Sequence, residues 1–119
     1  MSARRQARAR GRLAEAAAAL LLRLKGYRIL ERNWRSPAGE IDIVARRRHT
    51  LAFIEVKHRT AMAEAGEAIA GRQRLRIARA AQLYVAGRPA LASLDARFDA
   101  ILVVPWRPPL HIRDAWRIG

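Results

Sequence analysis

Two acidic residues and a lysine, on neighbouring β-like segments, are the residues of this sequence best suited to chemistry. Asp42 lies in residues 39–45 (GEIDIVA), and Glu55 and Lys57 lie in residues 51–59 (LAFIEVKHR). Both segments are rich in β-branched and aliphatic residues, and the basic stretch between them is typical of a hairpin loop. We therefore predict two antiparallel strands that carry the three side chains close together.

The register of this hairpin decides whether the acids meet. If residues 47–50 form a loop of about four residues, a common length, then Asp42 lies opposite Glu55 and Glu40 lies opposite Lys57. Two carboxylates facing each other destabilise a sheet, and a divalent metal bound between them would offset the repulsion. A slip of one residue would turn the side chains to the other face and break this arrangement.

Lys57 stands out from the composition. Only two of the 24 basic residues are lysines, Lys25 and Lys57, so a generic cation here would have been an arginine. Lysine supplies a compact ammonium whose pKa can shift, which suggests a chemical role. The alternative is that Lys57 neutralises Glu40 or Glu55 in a surface ion pair.

The whole chain has the composition of one folded, strongly basic domain. It has 119 residues, of which 51% are hydrophobic, no cysteine, and a net charge of +14. These values exclude disulfides, thiolate zinc sites and a cysteine nucleophile, and they favour a reducing, cytoplasmic setting. No apolar run reaches the roughly 20 residues of a membrane span. The charge favours a polyanionic partner, with nucleic acid first and an acidic membrane surface second. An arginine-rich proteome would explain the choice of arginine over lysine but not the excess of basic over acidic residues.

The N-terminal region predicts a basic arm, or a frayed start of a helix, followed by a helix. Residues 1–10 carry several arginines and no acid, and residues 11–25 have apolar positions at helical spacing. Glu15 lies at the margin of the apolar face, where it has room to point inward. The alternative is a surface pair with Arg12.

The next elements are predicted to be a strand over 27–35, the hairpin, and a second helix over 71–86, with an uncertain connection over 61–71. Gln73 falls within the apolar side of the second helix, so its amide either bonds strand backbone or reaches the carboxylates. The opposite side carries Arg72, Arg76 and Arg79 as a stripe suited to phosphates, with a plain solvent-facing surface as the alternative.

Residues 97–104 predict a buried strand, and residues 105–119 a C-terminal extension with a short edge strand over 110–113. We expect Asp99 to be structural, as a cap or as the partner of an arginine. Trp116 could stack on a base, but packing or a dimer contact is the favoured use.

The predicted order, helix, three strands, helix and strand, resembles the PD-(D/E)xK, or restriction-endonuclease-like, α/β core with a mixed central sheet. The sequences around Asp42, Glu55-Val56-Lys57 and Asp99, together with Gly11 and Glu15, closely resemble the bacterial YraN family, an uncharacterised group akin to Holliday junction resolvases. The resemblance covers residues 11–104.

The resemblance implies a metal-dependent phosphodiesterase site. Asp42, Glu55, the Val56 carbonyl and Glu15 would hold Mg²⁺ or Mn²⁺, and Lys57 would orient or activate the attacking water. Gln73 stands where related sequences often carry lysine or glutamine near the site.

The leading expectation is an endonuclease acting on DNA rather than RNA, on branched or recombination intermediates, and as a homodimer if both strands are cut. A non-catalytic nucleic-acid-binding protein with a vestigial site is the alternative, and an interaction module that docks an acidic partner is a third. In both hypotheses that involve nucleic acid, arginines would bind the phosphates. The arginines expected to do so are Arg46, Arg47, Arg48, Arg72, Arg76 and Arg79.

Overall fold

A computed structural model describes residues 3–59 and 71–117, with the side chains of the first helix described from Gly11 onward. The elements are helix α1 (Ala3–Leu24), strands β1 (Arg28–Ser36), β2 (Gly39–Arg47) and β3 (Thr50–His58), helix α2 (Gly71–Ala86), a 3₁₀ turn (Pro89–Leu91), and strands β4 (Asp95–Val103) and β5 (Leu110–Trp116). Among these residues no helix has both the length and the apolarity to cross a bilayer.

The strands form one mixed five-stranded sheet in the order β1-β2-β3-β4-β5. All neighbours are antiparallel except β3 and β4, which run parallel and are joined through α2. Helix α1 packs its alanines and Leu22 on one face, over Ile54 and Ile101. Helix α2 packs on the other face, where Tyr84 meets Phe53. This architecture confirms the predicted mixed α/β fold and is consistent with a restriction-endonuclease-like core.

The hairpin keeps the predicted register over its inner part only. Pairing runs from Arg47 opposite Thr50 to Ile43 opposite Ile54, and Arg48 and His49 make a tight turn with Arg48 at φ 56°. The pairing ends there, so the expectation that Asp42 and Glu40 pair directly with Glu55 and Lys57 is wrong.

The divergence has a local cause. The Asp42 carboxylate (Oδ2) accepts a hydrogen bond from the Val56 backbone N–H at 2.8 Å, in place of a backbone partner. Beyond Ile54, strand β3 continues beside β4, while β2 continues beside β1. The two acids are therefore neighbours across a widening gap, which leaves room between their strands.

The first helix and the last strand are longer than predicted. Helix α1 already begins at Ala3, so of the two alternatives for the basic N-terminal stretch the structure has the helical one, because alanine and arginine are both good helix formers. Gly11 lies inside this helix rather than at its start. At the other end, β5 extends to Trp116, three residues beyond the predicted edge strand. The predicted connection over 61–71 lies almost wholly outside the described residues.

A buried carboxylate fastens β5 to the sheet. Asp99 is fully buried and accepts bonds from the Arg97 guanidinium at 2.8 Å, from His111 Nε2 at 2.8 Å and from the Asp114 amide at 2.9 Å. Burial opposes the charge, but the bonds from His111, Arg97 and Asp114 outweigh it and lower the pKa of Asp99 to about 2. Trp116 is also buried and stacks on Phe98 at 5.5 Å. The structural role expected for Asp99 and the packing role expected for Trp116 are confirmed.

Asp99→Asn should destabilise the protein at pH 7 by about 3 kcal/mol, because Arg97 would remain half-buried without its counter-charge. A carboxylate with a lowered pKa stabilises the fold above its usual pKa and loses that contribution as the pH falls. The deficit should therefore shrink between about pH 4 and pH 2. Urea unfolding across this range measures it. Asp114→Asn, which keeps the backbone donor and changes an exposed side chain, is the control; equal stabilities of Asp99→Asn and wild type at pH 7 would contradict the assignment.

Candidate active site

Asp42 on β2 and Glu55 on β3 form the centre of the site. Glu55 is 7% exposed, on the face covered by α2. Burial, followed by the charge of Glu55, raises the pKa of Asp42 to about 7, against the opposing bond from Val56. Burial also raises the pKa of Glu55, although the charge of Lys57 and hydrogen bonds from Lys57, Asp42 and Gln73 oppose the rise. The protein thus holds two neighbouring acids that are both harder to ionise than a carboxyl group in water.

Lys57 and Gln73 form a closed triangle with Glu55. Gln73 Nε2 donates to Glu55 Oε1 at 2.8 Å, Lys57 Nζ donates to Gln73 Oε1 at 3.2 Å, and Nζ lies 3.4 Å from Glu55 Oε1. Gln73 reaches the site because it lies in the first turn of α2, which packs over β2. Of the two roles considered for Gln73, the structure has the one in which it contacts the carboxylate cluster. The Lys57 side chain is only 18% exposed, so its pair with Glu55 is not a surface ion pair.

Glu15 approaches the acids from α1, on the other side of the sheet. Burial raises its pKa, the charge of Asp42 raises it further, and Asn33 beside it acts in the opposite direction. Its Oε1 is buried and has no hydrogen-bond partner among the described residues. Glu15 forms no ion pair with Arg12, although both side chains are described, so the inward orientation is the one adopted.

Asn33, on β1, is a further polar residue beside Glu15 and Asp42. It lies on β1 directly opposite Asp42, between the pairs made by Arg32 and Trp34, and it has a left-handed backbone with φ 53°. Asparagine tolerates this conformation better than most residues. Along β2 the regular alternation of side chains breaks at Asp42. Ile41 and Val44, three residues apart, both pack on the α2 side of the sheet. Sequence reasoning missed Asn33; its signal was an asparagine, a residue depleted in strands, inside a strand-like run.

The residues present fit a small divalent cation. Asp42 and Glu55 supply two hard carboxylate oxygens, and Mg²⁺ is commonly held by one or two carboxylates with several waters. Within residues 3–59 and 71–117, no three His, Cys, Asp or Glu side chains are close enough to hold a metal ion together. The unpartnered oxygen of Glu15 therefore fits contact through a water better than direct ligation.

Arginines line one wall of the cleft that leads to the acids. The cleft has a volume of about 540 Å³, and Arg72 and Arg76 lie beside Gln73 on its helical wall. Gly39 closes the cleft at its base: its backbone has φ 153°, and a Cβ there would lie 3.4 Å from that of Arg76. Arg79 is exposed one turn further along α2 and does not line the cleft.

The arginines of the hairpin turn lie elsewhere. Arg47 is five residues along β2 from Asp42, roughly 16 Å at strand spacing. Its guanidinium donates to the Lys25 carbonyl at 3.1 Å and lies 4.7 Å from the Tyr27 ring centre. Arg46 bonds the carbonyl of Arg48. The structure thus brings Arg72 and Arg76 to the acids and leaves Arg46, Arg47 and Arg48 at the opposite end of the hairpin.

The fold and the acidic cluster define a mixed α/β protein with a partly buried acidic site beside an arginine-lined cleft. A family model described as "Uncharacterised protein family UPF0102" matches residues 14–103. The UPF0102 proteins of Paramagnetospirillum magneticum and Maricaulis maris are 52% and 55% identical to this chain, each over 98% of it and over 93% and 92% of their own lengths. That of Methylocella silvestris is 51% identical over 94% of this chain and 90% of its own length. The chain belongs to the UPF0102, or YraN, family, as its motifs predicted.

Asp42→Asn should stabilise the metal-free protein at pH 7.5 by on the order of 2 kcal/mol, because it removes one of two mutually repelling buried charges. A carboxyl group with a raised pKa is protonated in the folded state, so wild type should lose stability as the pH rises from about 4 to about 7. Denaturant unfolding in EDTA over this range tests the prediction.

The control for this measurement is Asp95→Asn, which changes an exposed acid at the start of β4 and outside the cleft. We expect its stability to follow that of wild type at every pH. An Asp42→Asn variant no more stable than wild type at pH 7.5, or a gain that persists unchanged at pH 4, would contradict the repulsion.

Proposed function

We propose that this protein is a metal-dependent endonuclease that hydrolyses phosphodiester bonds in nucleic acid, DNA rather than RNA. The observation that carries the proposal is the buried pair of Asp42 and Glu55, with the ammonium of Lys57 3.4 Å from Glu55. Two neighbouring buried acids, one of them with its pKa raised to about 7, do not help to stabilise a fold. Their presence together therefore supports a functional role.

Each residue has a distinct part in this proposal. Asp42, Glu55 and the Val56 carbonyl would hold Mg²⁺ or Mn²⁺, with Glu15 contacting it through a water. Such a metal lowers the pKa of bound water and neutralises charge on the phosphate. Lys57 would orient the attacking water or a phosphate oxygen, since its three N–H donors have no acceptors beyond Glu55 and Gln73 among the described residues. Gln73 would fix the directions of Lys57 and Glu55.

The substrate would be held through its backbone. Arg72 and Arg76 reach into the cleft and Arg79 extends the stripe along α2, in a chain with net charge +14. Phosphate contacts fix position without reading sequence, so recognition by shape is expected, and the resemblance to Holliday junction resolvases favours branched or recombination intermediates. Symmetric cutting of two strands would require a homodimer. A DNA substrate and the absence of cysteine both fit a cytoplasmic protein.

A second candidate is a non-catalytic nucleic-acid-binding protein. Its supporting observation is that Gln73 and Lys57 already satisfy Glu55 without a metal. In such a protein the acidic cluster would be vestigial, and only the arginine-lined cleft would act.

Cleavage assays with labelled four-way junction, duplex and single-stranded DNA in Mg²⁺ or Mn²⁺ separate the two candidates. Asp42→Asn and Lys57→Ala should each lower the rate by about 10²- to 10⁴-fold. Lys57→Arg should fail to restore it, because guanidinium cannot replace a compact ammonium at this site. Asp95→Asn, which changes an exposed acid outside the cleft, should cleave like wild type.

Binding of these substrates by wild type without cleavage in either metal would favour the second candidate. The unfolding curve of each variant must be recorded in parallel, so that a loss of activity is not mistaken for a loss of folding.

The double variant Arg72→Ala, Arg76→Ala should bind all DNA substrates more weakly and with a reduced dependence on salt. Each lost phosphate contact lowers the slope of log K against log salt concentration by about 0.9. Fluorescence anisotropy between 50 and roughly 200 mM salt measures the slope. Arg46→Ala, Arg48→Ala, at the far end of the hairpin, is the matched control. Equal slopes for the two double variants would contradict the assignment of phosphate binding to the arginines of α2.

A further inference from the structure

Trp106, in the loop between β4 and β5, projects its whole side chain into solvent. It is fully exposed (101%), whereas Trp116 is buried and Trp34 is half-buried against Tyr84 at 5.2 Å. Tryptophan is highly buried on average because of its large apolar surface. The exposure of Trp106 is therefore unusual within this chain.

The backbone holds this tryptophan outward. Trp106 has φ 66°, a left-handed conformation that is rare for a bulky residue. It follows Pro105 and precedes Arg107, Pro108 and Pro109, and three prolines in five residues restrict the loop strongly. A loop that only connected two strands would not require a strained, fully exposed aromatic residue, and such strain concentrates at functional sites.

The parallel pairing of β3 and β4 places this loop at the edge of the sheet where the active-site residues lie. Lys57 is opposite Leu102, His58 is opposite Val103, and the Arg59 amide donates to the Val103 carbonyl at 3.1 Å. Trp106 follows Val103 by three residues, so their Cα atoms are at most about 10 Å apart. The indole of Trp106 could thus contact a nucleotide a few positions away from a phosphate bound at Asp42 and Glu55.

We propose that Trp106 stacks on an unpaired nucleobase next to the scissile position, so that the substrates are nucleic acids with exposed bases: single strands, overhangs or branch points. The inference rests on the nucleic-acid-binding part of the proposed function. Every base has a π face, so stacking on an aromatic side chain is tolerant of sequence. In a continuous duplex the bases are already stacked on one another, and exposing one costs free energy.

The charge around Trp106 favours a nucleobase over an apolar protein partner. Arg107 is adjacent and exposed, and the chain as a whole is strongly cationic. A phosphate backbone next to the stacked base would be attracted to this surface, whereas an apolar docking surface is normally depleted of charge at its centre.

Anisotropy measurements on the full chain, in EDTA so that no cleavage occurs, test the proposal. The probes are a labelled duplex and the same duplex with a single-stranded overhang. Trp106→Ala should weaken binding of the overhang probe by about 5- to 100-fold and leave the continuous duplex unchanged. Trp106→Phe should retain most of the affinity. Quenching of tryptophan emission by oligothymidylate should be present in wild type and reduced in Trp106→Phe.

The matched control is Leu24→Ala. Leu24 is 76% exposed at the end of α1, beside Lys25, whose carbonyl contacts Arg47 at the far end of the hairpin. The Leu24→Ala variant should bind both probes like wild type. Unchanged overhang binding by Trp106→Ala, or an equal loss on both probes, would overturn the inference.

The outcome is distinguishable from failure of the proposed hydrolysis. Wild type that binds the overhang through Trp106 but never cleaves it with Mg²⁺ or Mn²⁺ would support the stacking role and refute the endonuclease. Cleavage that requires Asp42 while Trp106→Ala binds normally would refute the stacking role alone.

Discussion

The free energy cost of burying two neighbouring carboxyl groups, Asp42 and Glu55, is the constraint that governs the candidate site. Asp42 and Glu55 would each be more stable in water, and the fold keeps them together with a backbone N–H, an amide and one ammonium. These donors offset only part of the cost, because the pKa values of both acids stay raised. The remaining negative potential is what a divalent cation would satisfy, at the mouth of a cleft with a cationic wall.

The sheet contains a second buried acid with the opposite electrostatic balance. Asp99 receives four hydrogen bonds, two of them from one guanidinium, and its pKa falls to about 2. These hydrogen bonds compensate the charge of Asp99 and join β5 to β4. Asp99 therefore stabilises the fold, whereas the pair of Asp42 and Glu55 costs it stability, although all three acids lie on adjacent strands.

The topology explains how residues far apart in the sequence converge. The helices lie on opposite faces of the sheet, so Glu15 and Gln73 approach the acids from different sides. Asp42 lies where the alternation of side chains along β2 breaks, between Ile41 and Ile43, which pack on opposite faces of the sheet. The parallel pairing of β3 and β4 then brings the loop that carries Trp106 to the edge that carries Lys57. A sheet with antiparallel β3 and β4 would have placed that loop at the other end.

The order of the helices and strands, the inner register of the hairpin and the two acids could be predicted from the sequence, because alternation, helical spacing and turn residues act within or between adjacent segments. The family motifs could be recognised in the same way. Four features required the folded structure: the end of the ladder at Ile54, the bond from Gln73 to Glu55, the packing of Arg47 on Tyr27, and the exposure of Trp106 rather than Trp116. Each of these depends on distances between elements separated by many residues. Such distances are set by how the helices pack on the sheet, which no local pattern encodes.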